Sequence, residues 1–190
     1  DWRKKYNIND FPIYNLEFRK KAQNYALQNF QRYYTKKPHA AFKKVLNEWD
    51  KISDVYVNYL KSDNEKLTTI HGDYNRTNLW IDKNNGNTLK IVDWEWSGIG
   101  LSHLDLASLL IGQPKHIEKE AILEFTKSQG EYTLKENQEH YTYSKLERAI
   151  LDCSYVTGID LSIKRKSRFN LNTFAINASL RILEAYSEMK

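Results

Sequence analysis

Apolar residues recur every three or four positions through the first third of the chain, and that rhythm stops at Leu67. Between residues 16 and 36, Ala22, Tyr25, Ala26, Asn29, Phe30 and Tyr33 fall at helical spacing. Pro38 suits the first turn of a second helix, in which Phe42, Val45, Leu46, Trp49, Ile52, Tyr56 and Tyr59 recur at the same steps. The opposite faces of both helices are rich in lysine, which reads as a solvated surface. From Leu67 the pattern shortens. Leu67–Ile70, Leu79–Ile81 and Thr88–Val92 read as short strands, and the Asn85-Gly86 pair between the last two is a strong hairpin signal. Helical periodicity returns after Ser102. It predicts helices over 103–112, 115–129, 137–157 and 172–188, with Gly112, Gly130 and Gly158 near their ends. The expected fold class is mainly α with a small β-hairpin insertion (α+β).

Composition narrows the class of protein. The 190 residues are 41% hydrophobic and 28% charged, which excludes a disordered tail, a collagen-like fibre and a low-complexity linker. No apolar run approaches the length of a membrane span, so no membrane association is expected. A single cysteine, Cys153, excludes an intramolecular disulfide and a multi-cysteine zinc site, and it fits a reducing cytoplasm. The formal charge of +5 is concentrated at the start: residues 1–50 hold 11 basic and 5 acidic side chains, whereas residues 51–150 hold 12 and 15. The stretch with the most unusual polar residues is therefore net acidic, which argues against a nucleic-acid partner as the reason for the pI.

Those polar residues form two constellations. One is His71-Gly72-Asp73-Tyr74-Asn75-Arg76-Thr77-Asn78; the other is Ile91-Val92-Asp93-Trp94-Glu95-Trp96. Each places acceptor side chains at the end of an expected strand, and the two flank one hairpin, which draws Asp73, Asn78 and Asp93 together. Two carboxylates and an amide oxygen are hard ligands suited to a Mg²⁺ that keeps several waters. A carboxylate left off the metal can orient a hydroxyl and accept its proton. An aspartate of pKa about 4 is a weak base, but it suffices where the proton leaves late, as in the loose transition state of phosphoryl transfer.

His71-x-Asp73-x-x-x-x-Asn78 followed by Ile91-x-Asp93-Trp94 resembles the aminoglycoside phosphotransferase and choline kinase family, the small-molecule branch of the protein-kinase-like fold. Trp96-Ser97-Gly98-Ile99-Gly100 and Asp105-Leu106-Ala107 look like that family's stretch after its metal-binding aspartate. The resemblance implies an ATP-dependent phosphotransferase acting on a small-molecule hydroxyl (aminoglycoside-, choline- or sugar-like). Asp73 would be the catalytic base. Asn78 and Asp93 would hold the Mg²⁺ that bridges the ATP phosphates. His71 and Asp105 would be structural, bracing the catalytic loop. Glu95 could face the substrate. The acceptor of this family lies against the C-terminal helices, which makes Asp152, Asp160 and Glu184 candidates by location. Tyr141, Tyr143, Tyr155 and Trp96 could wall a choline-like cation, although core packing is the favoured reading of these aromatics.

The same resemblance implies an N-terminal lobe with a phosphate-covering loop and a strand lysine. None of the seven glycines forms G-x-G-x-x-G, and no strand-rich segment precedes the first helix. The chain therefore reads as the C-terminal lobe of a protein-kinase-like fold over residues 1–190. It divides into a helical segment (1–66), catalytic and metal-binding loops with the hairpin (67–107), and C-terminal helices (108–190). The N-terminal kinase lobe becomes an expected partner, and the chain alone is expected to bind Mg-ATP poorly. Asp1 is not a methionine, so upstream residues are expected. A catalytically inactive kinase-like scaffold or coat protein is the alternative; a basic nucleic-acid module is the third reading. A calcium loop at Asp82–Gly86 fails on register, because Asn87 stands where the glycine of such a loop belongs.

Overall fold

Helix α2 (Ala40–Tyr59) shows how the sequence builds its core. Phe42, Val45, Ile52 and Tyr56 are wholly buried on one face, and Lys43, Lys44 and Lys51 are exposed on the other. The computed structural model describes residues 16–36, 39–59, 67–130, 132–155 and 171–190. In chain order the elements are α1 (Leu16–Lys36), α2, β1 (Thr68–Ile70), β2 (Leu79–Asp82), β3 (Thr88–Ile91), β4 (Gly98–Gly100), α3 (His103–Leu109), α4 (Lys115–Gln129), α5 (Leu134–Tyr155) and α6 (Leu171–Glu188). The fold is thus mostly helical with a small β part, as the periodicity predicts. Pro38 and the end of the helix predicted to run to 157 lie outside the described residues.

Two units divide the chain: residues 1–14 with 63–144, and residues 15–62 with 145–190. In the second unit α1 packs on α2 and α2 on α6. Phe30 of α1 meets Phe42 and Trp49 of α2 at centroid distances of 6.3 and 5.7 Å, the latter edge-on, a favourable aromatic geometry. Ala175, Ala178, Ile182 and Ala185 form the buried stripe of α6. The buried face of α1 is more polar than its spacing suggests: Arg19, Gln23 and Asn29 are inside, whereas Tyr25 is exposed. Each has a partner. Arg19 Nε and Nη2 donate to the two carboxylate oxygens of Glu147 on α5, at 2.8 and 3.3 Å. Gln23 donates to the Ser53 carbonyl, and Asn29 to that of Cys153. Pairing of this kind is what permits buried polar groups at all.

The first unit holds two antiparallel two-stranded sheets, where the hydrophobic pattern predicts one hairpin. β2 pairs with β3 in the expected hairpin, Leu79 opposite Ile91 and Asp82 opposite Thr88. Asp82 organises the turn: its backbone carbonyl accepts from Asn85 N–H, its Oδ1 accepts from Asn84 N–H, and its Oδ2 meets Lys90 Nζ at 2.7 Å. Gly86 and Asn87 complete the turn with positive φ, which glycine and asparagine tolerate best. The second sheet, β1 with β4, pairs Ile70 with Gly98 and Thr68 with Gly100. Gly98-Ile99-Gly100 has too few side chains to betray a strand by alternation. α3 stops at Leu109, three residues short of the prediction. α5 begins at Leu134, three residues early, because Thr133 and Glu136 form a capping box: Thr133 N–H donates to Glu136 Oε2 at 2.8 Å and Glu136 N–H to Thr133 Oγ1 at 3.3 Å.

Candidate active site

Strand β1 ends at Ile70, and the chain turns at once into the first constellation. Gly72 takes φ +79°, a left-handed conformation that side chains resist, and the turn brings two successive amides onto one acceptor. His71 N–H donates to Asp105 Oδ2 at 2.7 Å and Gly72 N–H to Asp105 Oδ1 at 2.9 Å. Bonds from amides to a carboxylate are worth on the order of 2 kcal/mol each. Asp105 sits in the first turn of α3, so this clamp ties the loop of His71 and Gly72 to a helix.

The ring of His71 does the complementary work. It is buried; Nδ1 accepts from Asp73 N–H at 3.3 Å and Nε2 lies 2.9 Å from the Val92 carbonyl. An acceptor at Nδ1 requires the proton at Nε2, so the ring is the neutral Nε2–H tautomer donating to Val92. One side chain thereby links the loop of Asp73 to the segment that carries Asp93. Trp94 lies against the same ring at 4.8 Å, with its Nε1–H donating to the Ile91 carbonyl, and Tyr74 meets it edge-on at 5.9 Å.

Asn78 closes the loop. It is buried at the end of a 3₁₀ turn, Arg76–Asn78, that Asn75 caps by accepting from Thr77 N–H. Asn78 Nδ2 donates to the Asp73 carbonyl at 3.0 Å and to Asp73 Oδ2 at 3.2 Å. With the amide nitrogen so engaged, Oδ1 is left with the Thr77 hydroxyl at 3.4 Å among the described residues. The backbone carbonyl of Asn78 accepts from Val92 N–H at 3.1 Å, extending the β2–β3 ladder by one rung. Asp93 follows directly. It adopts φ 65°, ψ 59°, and its side chain makes no capping bond to the 3₁₀ turn Trp94–Trp96 that it precedes. Left-handed backbone at a non-glycine residue costs on the order of 1 kcal/mol, and Asp bears it better than most.

Asp73, Asn78 and the segment bearing Asp93 are therefore joined by direct bonds. Asn78 Oδ1 and the exposed Asp93 carboxylate are hard oxygen donors of the kind that Mg²⁺ accepts beside water and phosphate oxygens. No three His, Cys, Asp or Glu side chains cluster for a metal among the described residues. Glu95 is exposed, between Trp94 and Trp96, both also exposed.

The remaining candidates lie on other segments of the chain. Asp152 and Glu184 belong to the other unit. Asp152 is buried and accepts from Arg148 and Arg181 at 2.8 to 2.9 Å, so its charge is already matched within that unit. Glu184 is exposed on α6. Asp160 and the side chain of Tyr155 lie outside the described residues. Tyr141 and Tyr143 are buried, in keeping with core packing, while Trp96 is 42% exposed. The bracing contributed by Asn75, Thr77 and Trp94 was not foreseen; the Asn-x-Thr spacing before a short helical turn is the signal that could have shown the first two.

Residues 8–140 match the phosphotransferase enzyme family. The chain belongs to this family. In fold the family member resembles a choline/ethanolamine kinase family protein from Mesorhizobium loti, with a TM-score of 0.57 at 16% identity. That likeness covers 95% of this chain and 55% of the other, so this family member spans about half the length of its structural relative. No curated protein matches it. Among the described residues no helix of this phosphotransferase-family chain is long and apolar enough to cross a membrane.

Proposed function

We propose that this chain is the catalytic, substrate-side part of an ATP-dependent phosphotransferase whose acceptor is a hydroxyl of a small molecule. One observation carries the reading: Asn78 holds the Asp73 carboxylate with its amide nitrogen while its amide oxygen is left over for a cation. Asp73 orients the acceptor hydroxyl and takes its proton late in the transfer, a task for which position matters more than basicity. Asn78 Oδ1 and Asp93 hold Mg²⁺, which when bound neutralises charge on the ATP phosphates. His71 and Asp105 keep the loop in register. The adenine end of ATP is assigned to an N-terminal kinase lobe outside residues 1–190, so that this chain alone turns over slowly or not at all. The localisation consistent with ATP as co-substrate is the cytoplasm.

Glu95 and its indole neighbours Trp94 and Trp96 follow Asp93 immediately and are exposed, which suits contact with a cationic acceptor. Glu184 is the second candidate. The test is Asp73→Ala in the full-length protein. Turnover should fall about a thousandfold with the KM for ATP little changed, the range expected for loss of a general base. Undiminished turnover would remove Asp73 from the chemistry, and absence of phosphotransfer to any small hydroxyl compound in the unaltered protein would favour the scaffold.

A further inference from the structure

The Asp105 clamp is only as firm as the helix that presents it, and α3 is short, at seven residues. Its anchorage lies on its far side. His103 and Asp105 are two positions apart, which on an α-helix places them about 200° apart around the axis. Asp105 reaches the amides of the catalytic loop. His103 reaches the other way and is buried, its Nε2 lying 2.7 Å from Asn137 Oδ1. Asn137 is itself fully buried in the first turn of α5. Its Nδ2 donates to the carbonyls of Tyr132 and Thr133 at 3.3 and 3.2 Å, which fixes Oδ1 as the acceptor and His103 Nε2–H as the donor. Phe125 and Tyr132 pack edge-on to the His103 ring, at 5.0 and 5.8 Å, and the His140 ring lies at 5.1 Å.

We infer that His103 and Asn137 are positioning residues for the phosphotransfer centre: their bond makes the first turn of α3 a rigid strut between the start of α5 and the Asp105 carboxylate that holds His71 and Gly72. The bond is buried, so no water replaces it when it is broken, and the turn that carries Asp105 then loses its fixed orientation. The functional part of this inference rests on the transferase reading above; the mechanical part does not.

The experiment separates the two. Amide hydrogen exchange at His71 and Gly72 reports the clamp directly and needs no turnover. His103→Phe keeps the ring volume and deletes the donor. Exchange at those two amides should rise at least tenfold, as it should in Asp105→Asn, while α4 amides stay within twofold. His103→Gln, whose terminal amide places an N–H near the original donor, should restore protection to within about threefold. Should His103→Phe not fold, Asn137→Ser, which shortens the acceptor, is read in the same way. Faster exchange confined to residues 132–137, or an equal rise in every helix, overturns the proposal. In full-length protein competent for phosphotransfer, His103→Phe should lower kcat about tenfold with the KM for ATP unchanged, and His103→Gln should recover it. Loss of clamp protection without any change in kcat would retain the strut and reject its bearing on the reaction.

Discussion

Asn78 donates to both the backbone carbonyl and the side-chain carboxylate of Asp73, at 3.0 and 3.2 Å. A single amide therefore sets the path of the loop and the aim of the proposed base. Asn78→Asp tests the pairing. It keeps the shape, deletes both N–H donors and sets a second carboxylate against the first. Turnover should fall at least a hundredfold, because the base loses its orientation and repels its neighbour. Steady-state kinetics at saturating ATP provides the check; full activity would show that the amide is dispensable.

Asp93 holds a backbone conformation that glycine adopts without strain. Asp93→Gly should therefore leave stability within about 1 kcal/mol of the parent, since relief of strain offsets the greater entropy of an unfolded glycine. It should nevertheless abolish Mg-nucleotide binding by full-length protein. Thermal melting and calorimetric titration together decide the matter. A large loss of stability would mean that the carboxylate is a structural anchor instead.

The buried pair of Arg19 and Glu147 offers a test of the second unit. Arg19→Met leaves a carboxylate inside without its guanidinium, and a buried pair broken from one side typically costs about 3–5 kcal/mol. Replacing both residues, as Arg19→Met with Glu147→Leu, should recover most of that loss. Denaturant midpoints of the two variants measure it, and equal destabilisation by both would contradict the pairing.

Cys153 is buried, and burial pushes its thiol pKa well up, with the nearby Asp152 carboxylate adding to the rise and Arg181 opposing it. The folded state thus holds this proton more tightly than the unfolded chain, whose thiol titrates near 8.5. The associated stability is fully present below that value and is lost as pH climbs past it. A thiol reagent at pH 8 should label Cys153 at the rate of global unfolding, and labelling much faster than that would place the sulfur at the surface.

Much of this architecture was legible in the chain. Three- and four-residue spacing located the helices, Asn85-Gly86 the hairpin turn, and the polar runs at 71–78 and 91–96 the segments that hydrogen bonds now join. What escaped has physical reasons. β4 is two glycines around one isoleucine, with no alternation to read. The buried faces of α1 and α5 include Arg19, Asn137 and Glu147, which look solvent-facing until their distant partners are known. Asp152 likewise reads as an exposed carboxylate, because nothing local announces Arg181, 29 residues away. The Thr133-x-x-Glu136 box lay in plain view, and helical periodicity alone set the start of α5 too late.

The tip of the β2–β3 hairpin points to a practical use. Residues 83–87 are exposed, and a methyl group added at Gly86 would touch nothing within 4 Å. The rung between Asn78 and Val92, at the other end of the ribbon, is what joins the loop of Asn78 to the segment of Asp93. An epitope or fluorescent label spliced between Asn84 and Asn87 would therefore hang off the distal end of a stalk, giving a handle for capture or microscopy away from the loops at its base.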